Sequence, residues 1–396
     1  MKRTHDQLKI EHFTAGVLAI AGCFLMVAFP RVTQSGVSSG LELFWGSVLP
    51  TLFPFFVLSN LIGLTSVPVR IAHLFEPLFR RMFGVSGRGA YVLTLSLVSG
   101  YPMAAKLVGE GCREGSLTAV EGKRILSFSS LCGPLFMIGT VGTAMLGMSQ
   151  YGYLIAAGHY LGALINGLLW SRFLLAQSCD QRRFVPATAF GGSLFEVLSQ
   201  SILKAFSSMG LICGYIVLFS VLSEFLTQSG VLKAMEHSWL RILISGGMEM
   251  TMGCRDASKA LSLTVPIKLA LCSFMISFGG GSIAGQSLSM LTDSGIEASY
   301  YIKTKVCHGV LAGILTYNFT LLAERFGFMD LAVGAIYGAN QIWLQSLGAI
   351  HLYIFTARSM VVVLGLMILL VGIDQLIHSS HEKLHAYIIE RRKKEP

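Results

Sequence analysis

The chain has 396 residues, of which 53% are hydrophobic and 13% charged, and its mean hydropathy is +0.65. That balance excludes a set of ordinary soluble domains and points to an all-α polytopic membrane protein. The net charge of +9 does not imply nucleic acid. Its basic residues cluster beside apolar runs (Lys2, Arg3 and Lys9; Arg172, Arg182 and Arg183; Arg391 to Lys394), the pattern of positive-inside signals in contact with a lipid bilayer, and no groove-reading motif accompanies them.

Charge-free runs cover residues 43–69, 125–171, 269–292, 306–323 and 331–357. About 20 apolar residues cross a bilayer core, so the second run is long enough for two crossings. The N-terminus combines a basic head with an apolar run over 14–29 closed by Pro30-Arg31, read as an uncleaved first span within a segment 1–40. The run 41–64 carries Pro50 and Pro54 among aromatic residues and predicts a kinked, partly interfacial helix. Over 69–83, Arg70, His73, Glu76, Arg80 and Arg81 alternate at helical spacing with Ile71, Leu74, Phe75, Leu78 and Phe79, predicting an amphipathic helix along the interface.

The next stretch, 89–146, is apolar but broken twice. Ser99-Gly100-Tyr101-Pro102 interrupts it first, since glycine weakens a helix and proline removes a backbone donor. Ser129-Ser130-Leu131-Cys132-Gly133-Pro134 interrupts it again, and a short charged segment, 110–124, lies between the breaks. Loose backbone groups in lipid need protein or a water-filled cavity to satisfy them, so facing breaks predict a built site. A span over 151–175 follows, with Gly158 and Gly162 forming a small-xxx-small packing face. Residues 41–176 are read as a first repeat, and 177–192 as a basic cytoplasmic loop.

The second half, 193–349, repeats the order. It predicts an amphipathic segment over 195–206, a span over 210–224 and an amphipathic charged segment over 231–241. Breaks follow at Ser245-Gly246-Gly247-Met248-Glu249 and Ser277-Phe278-Gly279-Gly280-Gly281-Ser282. Ser99-Gly100 and Ser245-Gly246 are 146 residues apart, and Gly133 and Gly280 are 147 apart. Matched Gly/Pro-interrupted segments in two halves are the sequence pointer to inverted repeats around a midplane site. A further span over 306–323, a polar apolar run over 331–349, a final span over 350–374 and a charged tail over 375–396 complete the chain.

Individual residues carry competing readings. Glu249 stands alone in an apolar run, where a carboxylate costs at least about 2.5–3.5 kcal/mol, so it faces a cavity or a partner; the partner reading pairs it with Arg255 or Arg241. Lys106, one turn past Pro102, either meets an anion beside exposed helix N–H groups or snorkels to the interface. Ser129, Ser130, Ser277, Ser282 and Gln286 flank the second breaks, either as substrate contacts or as local partners for freed backbone groups. His159, His308 and His351 are proton relays or packing residues. The eight cysteines include no Cys-x-x-Cys and read as small buried hydrophobes. His381-Glu382-Lys383-Leu384-His385 matches the zinc-protease pattern, but it lies in a charged tail with no third ligand evident. Neither a metal nor a cofactor is expected, and Ser282 lacks the second glycine of a nucleophile turn. The chain does not read as an enzyme.

Four motifs in order, Ser99-Gly100-Tyr101-Pro102-Met103-Ala104-Ala105-Lys106, Gly133-Pro134-Leu135-Phe136, Glu249-Met250-Thr251-Met252-Gly253 and Ser277-Phe278-Gly279-Gly280, resemble those of the sporulation integral membrane protein YlbJ (SpoVV) family. The resemblance runs over residues 13–373. It implies a nucleoside-recognition "gate" domain like that of concentrative nucleoside transporters, and a mother-cell protein of endospore-forming Firmicutes. It also implies movement of dipicolinic acid across the outer forespore membrane. The expected substrate contacts are Ser99, Gly100, Tyr101, Pro102, Lys106, Ser129, Ser130, Gly133, Pro134, Glu249, Thr251, Ser277, Gly279, Gly280, Ser282 and Gln286. The alternatives are a membrane assembly or signalling component that does not transport, a nucleoside-type transporter, and a tail metalloenzyme using His381, Glu382 and His385. Expected partners are the anionic substrate, the bilayer, and a second copy or other sporulation membrane proteins.

Overall fold

A computed structural model of the chain describes residues 5–63, 67–134, 136–174, 194–230 and 239–326. The described residues are helical, with no strand among them. Among the described residues, four helical stretches are long and apolar enough to cross a membrane: Ser149–Arg172, Phe195–Gln228, Val265–Met290 and Ala298–Arg325. A fifth crossing follows if the bent pair Ala19–Ala28 and Pro30–Gly46 counts as one. The chain is an all-α polytopic membrane protein. The polar apolar run, the final span, the basic loop and the His381–His385 tail lie outside the described residues.

Helix α1 (His5–Ala28) meets α2 (Pro30–Leu43) at Phe29, where the pair bends by 105°. Pro30-Arg31 thus closes the first apolar helix, as the sequence suggested, and does so by opening a second helix. Proline is well placed at the first position of a helix, where its missing N–H costs nothing, so it turns the chain and starts α2. A π-helical turn, Phe44–Val48, leads into α3 (Leu49–Gly63), which contains Pro54. Helix α4 (Val67–Phe83) is amphipathic as expected: Phe79 and Phe83 are buried, and Glu76 pairs with Arg80 on the open face. Leu74 departs from the expected pattern and is exposed.

Two groups of broken helices follow. In the first half, α5 (Arg88–Ser99) ends at Gly100 and α6 (Met103–Arg113) restarts after a cis Tyr101–Pro102 peptide. Then α7 (Ala119–Ser129) ends at Ser130, and a π-helical segment, Phe136–Met145, leads to α8 (Ser149–Leu174). In the second half, α9 (Leu194–Gln228) precedes α10 (Trp239–Met248) and α11 (Met250–Lys259), which are separated at Glu249. Next, α12 (Val265–Phe278) and α13 (Gly280–Met290) are separated at Gly279, and α14 (Ala298–Arg325) closes the described chain.

The two halves thus repeat helix, break, helix, helix, break, helix, long helix. The N-caps Thr118 and Thr264 stand 146 residues apart, and so do Gly133 and Gly279. The first break of the second half falls at the last residue of the expected stretch, Glu249, and not at Ser245-Gly246. Those residues stay helical in α10, and the chain opens three residues later at Glu249, which has extended backbone angles and caps α11. Without a proline, the second half breaks where a capping side chain is available. Residues 195–206 and 210–224 are not an amphipathic segment and a separate span, because α9 runs through both. Gly210 and Gly214 are single glycines inside it with no breaker beside them, and the helix ends only near Ser229-Gly230.

The core is built on α14, which packs between α8 and α12. Gly158 and Gly162 of α8 face α14 as their spacing predicted. A Cβ on Gly158 would overlap Thr316 Oγ1 and lie 3.0 Å from the carbonyl oxygen of Ala312. On the other side, Gly309 and Gly313 lie against Phe274 and Ala270 of α12, and Thr316 Oγ1 donates to Ser273 Oγ at 2.8 Å. Helices α2 and α9 pair by the same device, through Gly36 and Gly40 against Val221 and Val217. Lipid tails are as apolar as leucine, so such contacts associate by close van der Waals fit rather than by burial from water.

Candidate functional site

The two breaks of each half touch. Gly100 has φ +74°, and a Cβ there would lie 2.8 Å from the backbone nitrogen of Gly133. Gly280 has φ +71°, and a Cβ there would lie 2.8 Å from the carbonyl oxygen of Gly246 and 3.2 Å from that of Met248. Glycine is required at both places, for conformation and for closeness.

Between the two pairs of breaks lies a buried polar cluster centred on Lys305 of α14. Its Nζ donates to Tyr101 Oη at 2.6 Å and to the Ser130 carbonyl at 2.9 Å, and it lies 3.5 Å from His308 Nδ1. It also sits 4.5 Å from the centre of the Tyr101 ring. Tyr101 Oη donates in turn to the carbonyls of Ile276 and Ser277, at 3.1 and 3.2 Å, at the C-terminal end of α12. Ser130 Oγ and Tyr301 Oη are 3.1 Å apart. From α8, His159 Nδ1 is 2.7 Å from Ser277 Oγ, while its Nε2 accepts the Cys132 N–H at 3.0 Å. His308 Nε2 is 2.9 Å from the His159 carbonyl, and Tyr160 Oη donates to the Cys132 carbonyl at 3.3 Å.

Lys305 is only 2% exposed, and among the described residues no carboxylate pairs with it. A cation at the C-terminal carbonyl end of α7 is favourably placed in the helix dipole. When protonated, Lys305 has no counter-charge there, and the cluster then attracts an anion in a medium of low dielectric. The lysine is held by neutral acceptors alone, and an anion would supply the charge it lacks.

Several expected contacts therefore meet: Tyr101, Ser130 and Ser277 join the cluster, and Gly100, Gly133 and Gly280 form its backbone frame. Ser99 and Pro102 flank the first break, and Gly279, in the left-handed region at φ +88°, forms the break before α13. Others are turned to local tasks. Lys106 Nζ bonds Asn60 Oδ1 at 2.7 Å above the Phe56 ring, tying α6 to α3. Glu249 accepts the Met252 N–H at 3.0 Å and the Thr251 hydroxyl at 3.0 Å, so both its oxygens serve the start of α11. Of its two candidate ion-pair partners, Arg241 pairs with Asp256 at 3.5 Å, whereas Arg255 acts on the Glu249 carboxylate through charge alone. Ser129 Oγ bonds back to the Ile125 carbonyl at 2.7 Å, and Gln286 Nε2 donates to Ser282 Oγ at 3.2 Å along α13. Pro134 follows Gly133 at the second break and has no donor to offer.

The sequence reading did not place Lys305 in the site at all. Lys303-Thr304-Lys305 reads as a basic flank of the span that follows, whereas α14 already starts at Ala298. Two signals were present. Tyr301, Lys305 and His308 share one face at i, i+4 and i+7. His159 and Lys305 are 146 residues apart, the offset of the caps, and thus occupy matching positions on the last long helix of each half.

The fold and site define a class: a polytopic helical membrane protein with paired broken helices around a buried cationic polar centre. The chain is 27% identical over 331 residues, covering 75% of its length and 81% of the relative, to a protein of Bacillus subtilis (strain 168) described as sporulation integral membrane protein YlbJ. That likeness supports the YlbJ family resemblance carried by the motifs at the breaks. No protein-family model matches the chain, and no solved structure matches it.

Proposed function

We propose that this chain acts in sporulation as a secondary transporter, carrying a small anionic aromatic metabolite, dipicolinate, from the mother cell across the outer forespore membrane. The observation that carries this reading is Lys305, a buried lysine with no carboxylate partner among the described residues, bonded to the breaks at Tyr101 and Ser130 and, through Tyr101, to that at Ser277. Broken helices at membrane depth are the usual construction of a substrate site between repeats, and an intramembrane ionisable group marks a substrate or ion pathway. Likeness to a sporulation integral membrane protein supplies the setting. The two halves, read as inverted repeats, would rock about Lys305 to expose it to either side.

A nucleoside-type transporter fits less well, because a neutral base and sugar would leave the buried ammonium without its counter-charge. A non-transporting assembly role draws no support from any contact described.

The test is uptake and binding of labelled dipicolinate by the full chain in liposomes, with a nucleoside and a simple aliphatic dicarboxylate as competitors. Dipicolinate should compete best, and Lys305→Gln should abolish uptake while Lys106→Gln retains most of it. A purified protein that neither binds nor moves dipicolinate overturns the reading.

A further inference from the structure

The two buried histidines are bonded differently, and the difference fixes what each can do. His159 Nε2 faces the Cys132 N–H, which can only donate, so that nitrogen carries no proton. The proton of His159 must then sit on Nδ1, donated to Ser277 Oγ at 2.7 Å. A second proton would break the Cys132 bond and strand a buried backbone N–H. His159 is locked as a neutral imidazole.

His308 is the opposite case. Its Nε2 faces the His159 carbonyl, which can only accept, so Nε2 carries the proton. Its Nδ1 is therefore the open nitrogen, 3.5 Å from Lys305 Nζ. This is the one place in the cluster where a proton has both a donor and a vacant acceptor.

We propose that Lys305 and His308 form a one-proton site, with Nδ1 of His308 taking the proton from the Lys305 ammonium, so that one proton crosses with each substrate anion. This rests on the anion-transport reading above. With the anion bound, Lys305 is an ammonium. After the anion leaves, an Nζ–H bond breaks and an Nδ1–H bond forms. The imidazolium then loses that same proton to water on the side to which the site is open, and the empty site returns neutral. The empty site thus returns without the charge of a bare buried ion, whose cost is high.

Among the described residues, the surroundings leave this pair alone in the role. The first break brings Tyr101, the second brings Cys132, α8 brings His159 and Tyr160, and α14 itself brings Tyr301. From α7, Glu121 binds the Ser86 N–H, Lys123 pairs with Glu297 and Arg124 binds the Gly84 carbonyl. On α12, Lys268 reaches the Ser258 carbonyl, and the Cys272 thiol is turned to the Cys254 carbonyl. Helix α13 carries no titratable side chain.

Two measurements on the full chain decide the matter. In liposomes loaded with a pH-sensitive dye, external dipicolinate should acidify the lumen. His308→Gln should reduce the acidification per dipicolinate taken up to the level of protein-free liposomes. Nitrogen NMR of the ring atoms, assigned with single histidine variants, should show His308 Nδ1 responding to pH and His159 holding its Nδ1–H form throughout. Acidification that survives in His308→Gln, or a His308 ring that never responds, overturns the proposal. If the unmodified protein moves no dipicolinate, the transport reading fails, and the NMR result still decides whether His308 is the proton-accepting atom.

Discussion

Gly158→Ala tests the helix packing that holds Lys305 in place. The new Cβ would overlap Thr316 Oγ1 and lie 3.0 Å from both the Ala312 oxygen and the Thr316 nitrogen, against an ordinary contact range that starts at 3.4 Å. Two of these three neighbours are backbone and cannot rotate aside. The third is held by its bond to Ser273 Oγ at 2.8 Å. Helix α14 must therefore retreat by several tenths of an ångström, and overpacking of this kind costs about 1–3 kcal/mol. Gly162→Ala meets only Ala312, at 3.0–3.2 Å, and belongs at the lower end. Gly210→Ala and Gly214→Ala find nothing within 4 Å and should be neutral or stabilising by up to about 1 kcal/mol. Thermal unfolding of the purified chain in detergent should rank them in that order. Thr316→Ala combined with Gly158→Ala should cost less than the two changes summed, by about 0.5–3 kcal/mol, as expected of contacting residues. A Gly158→Ala protein as stable as Gly210→Ala would refute the α8–α14 contact and the alignment of His159 with Lys305 that depends on it.

Other substitutions separate cluster from cap. Tyr101→Phe keeps the ring beside Lys305 but removes one charge-assisted bond and the donor to Ile276 and Ser277. It should cost about 1.5–3 kcal/mol of stability and weaken dipicolinate binding in a direct titration. Glu249→Ala should lose about 0.5–2 kcal/mol as an N-cap deletion, whereas Glu249→Gln retains an acceptor for the Met252 N–H and should lose less. If Glu249→Gln abolishes uptake at unchanged stability, Glu249 acts on the substrate or a coupling ion rather than as a cap.

Much of the architecture was legible because membrane folding leaves few options. Pro102 marked its break outright, and the Gly158/Gly162 spacing announced a packing face. The break at Glu249 was harder to place, since Ser245-Gly246 looks like an interruption but helical glycines cost little when packed against Met275 and Gly253. The long α9 was hidden because Glu196, Gln200 and Lys204, at i, i+4 and i+8, lay an exposed polar stripe along its first turns that mimics an interfacial helix. Lys305 was hidden for a related reason. A lysine near the start of a helix reads as an anchor at the membrane surface, and only the position of α7 and of the first break shows that this one points inward. Side chains that cap a helix in another part of the chain leave no local sequence trace.

Those distant caps carry a consequence for biosynthesis. The end of α7 receives its partner from Lys305, the end of α12 from Tyr101, and the end of α13 from Arg113, whose Nη1 donates to the Met290 and Thr292 carbonyls at 2.9 and 3.0 Å. Tyr300 Oη likewise donates to the Lys123 carbonyl at 2.9 Å. Each half supplies what the other lacks, at separations of 175 to 179 residues. As the ribosome delivers the first half, it must wait in the bilayer with carbonyls open until the second arrives. If the two halves descend from one duplicated ancestor, that ancestor needed a second copy of itself to finish its own helices.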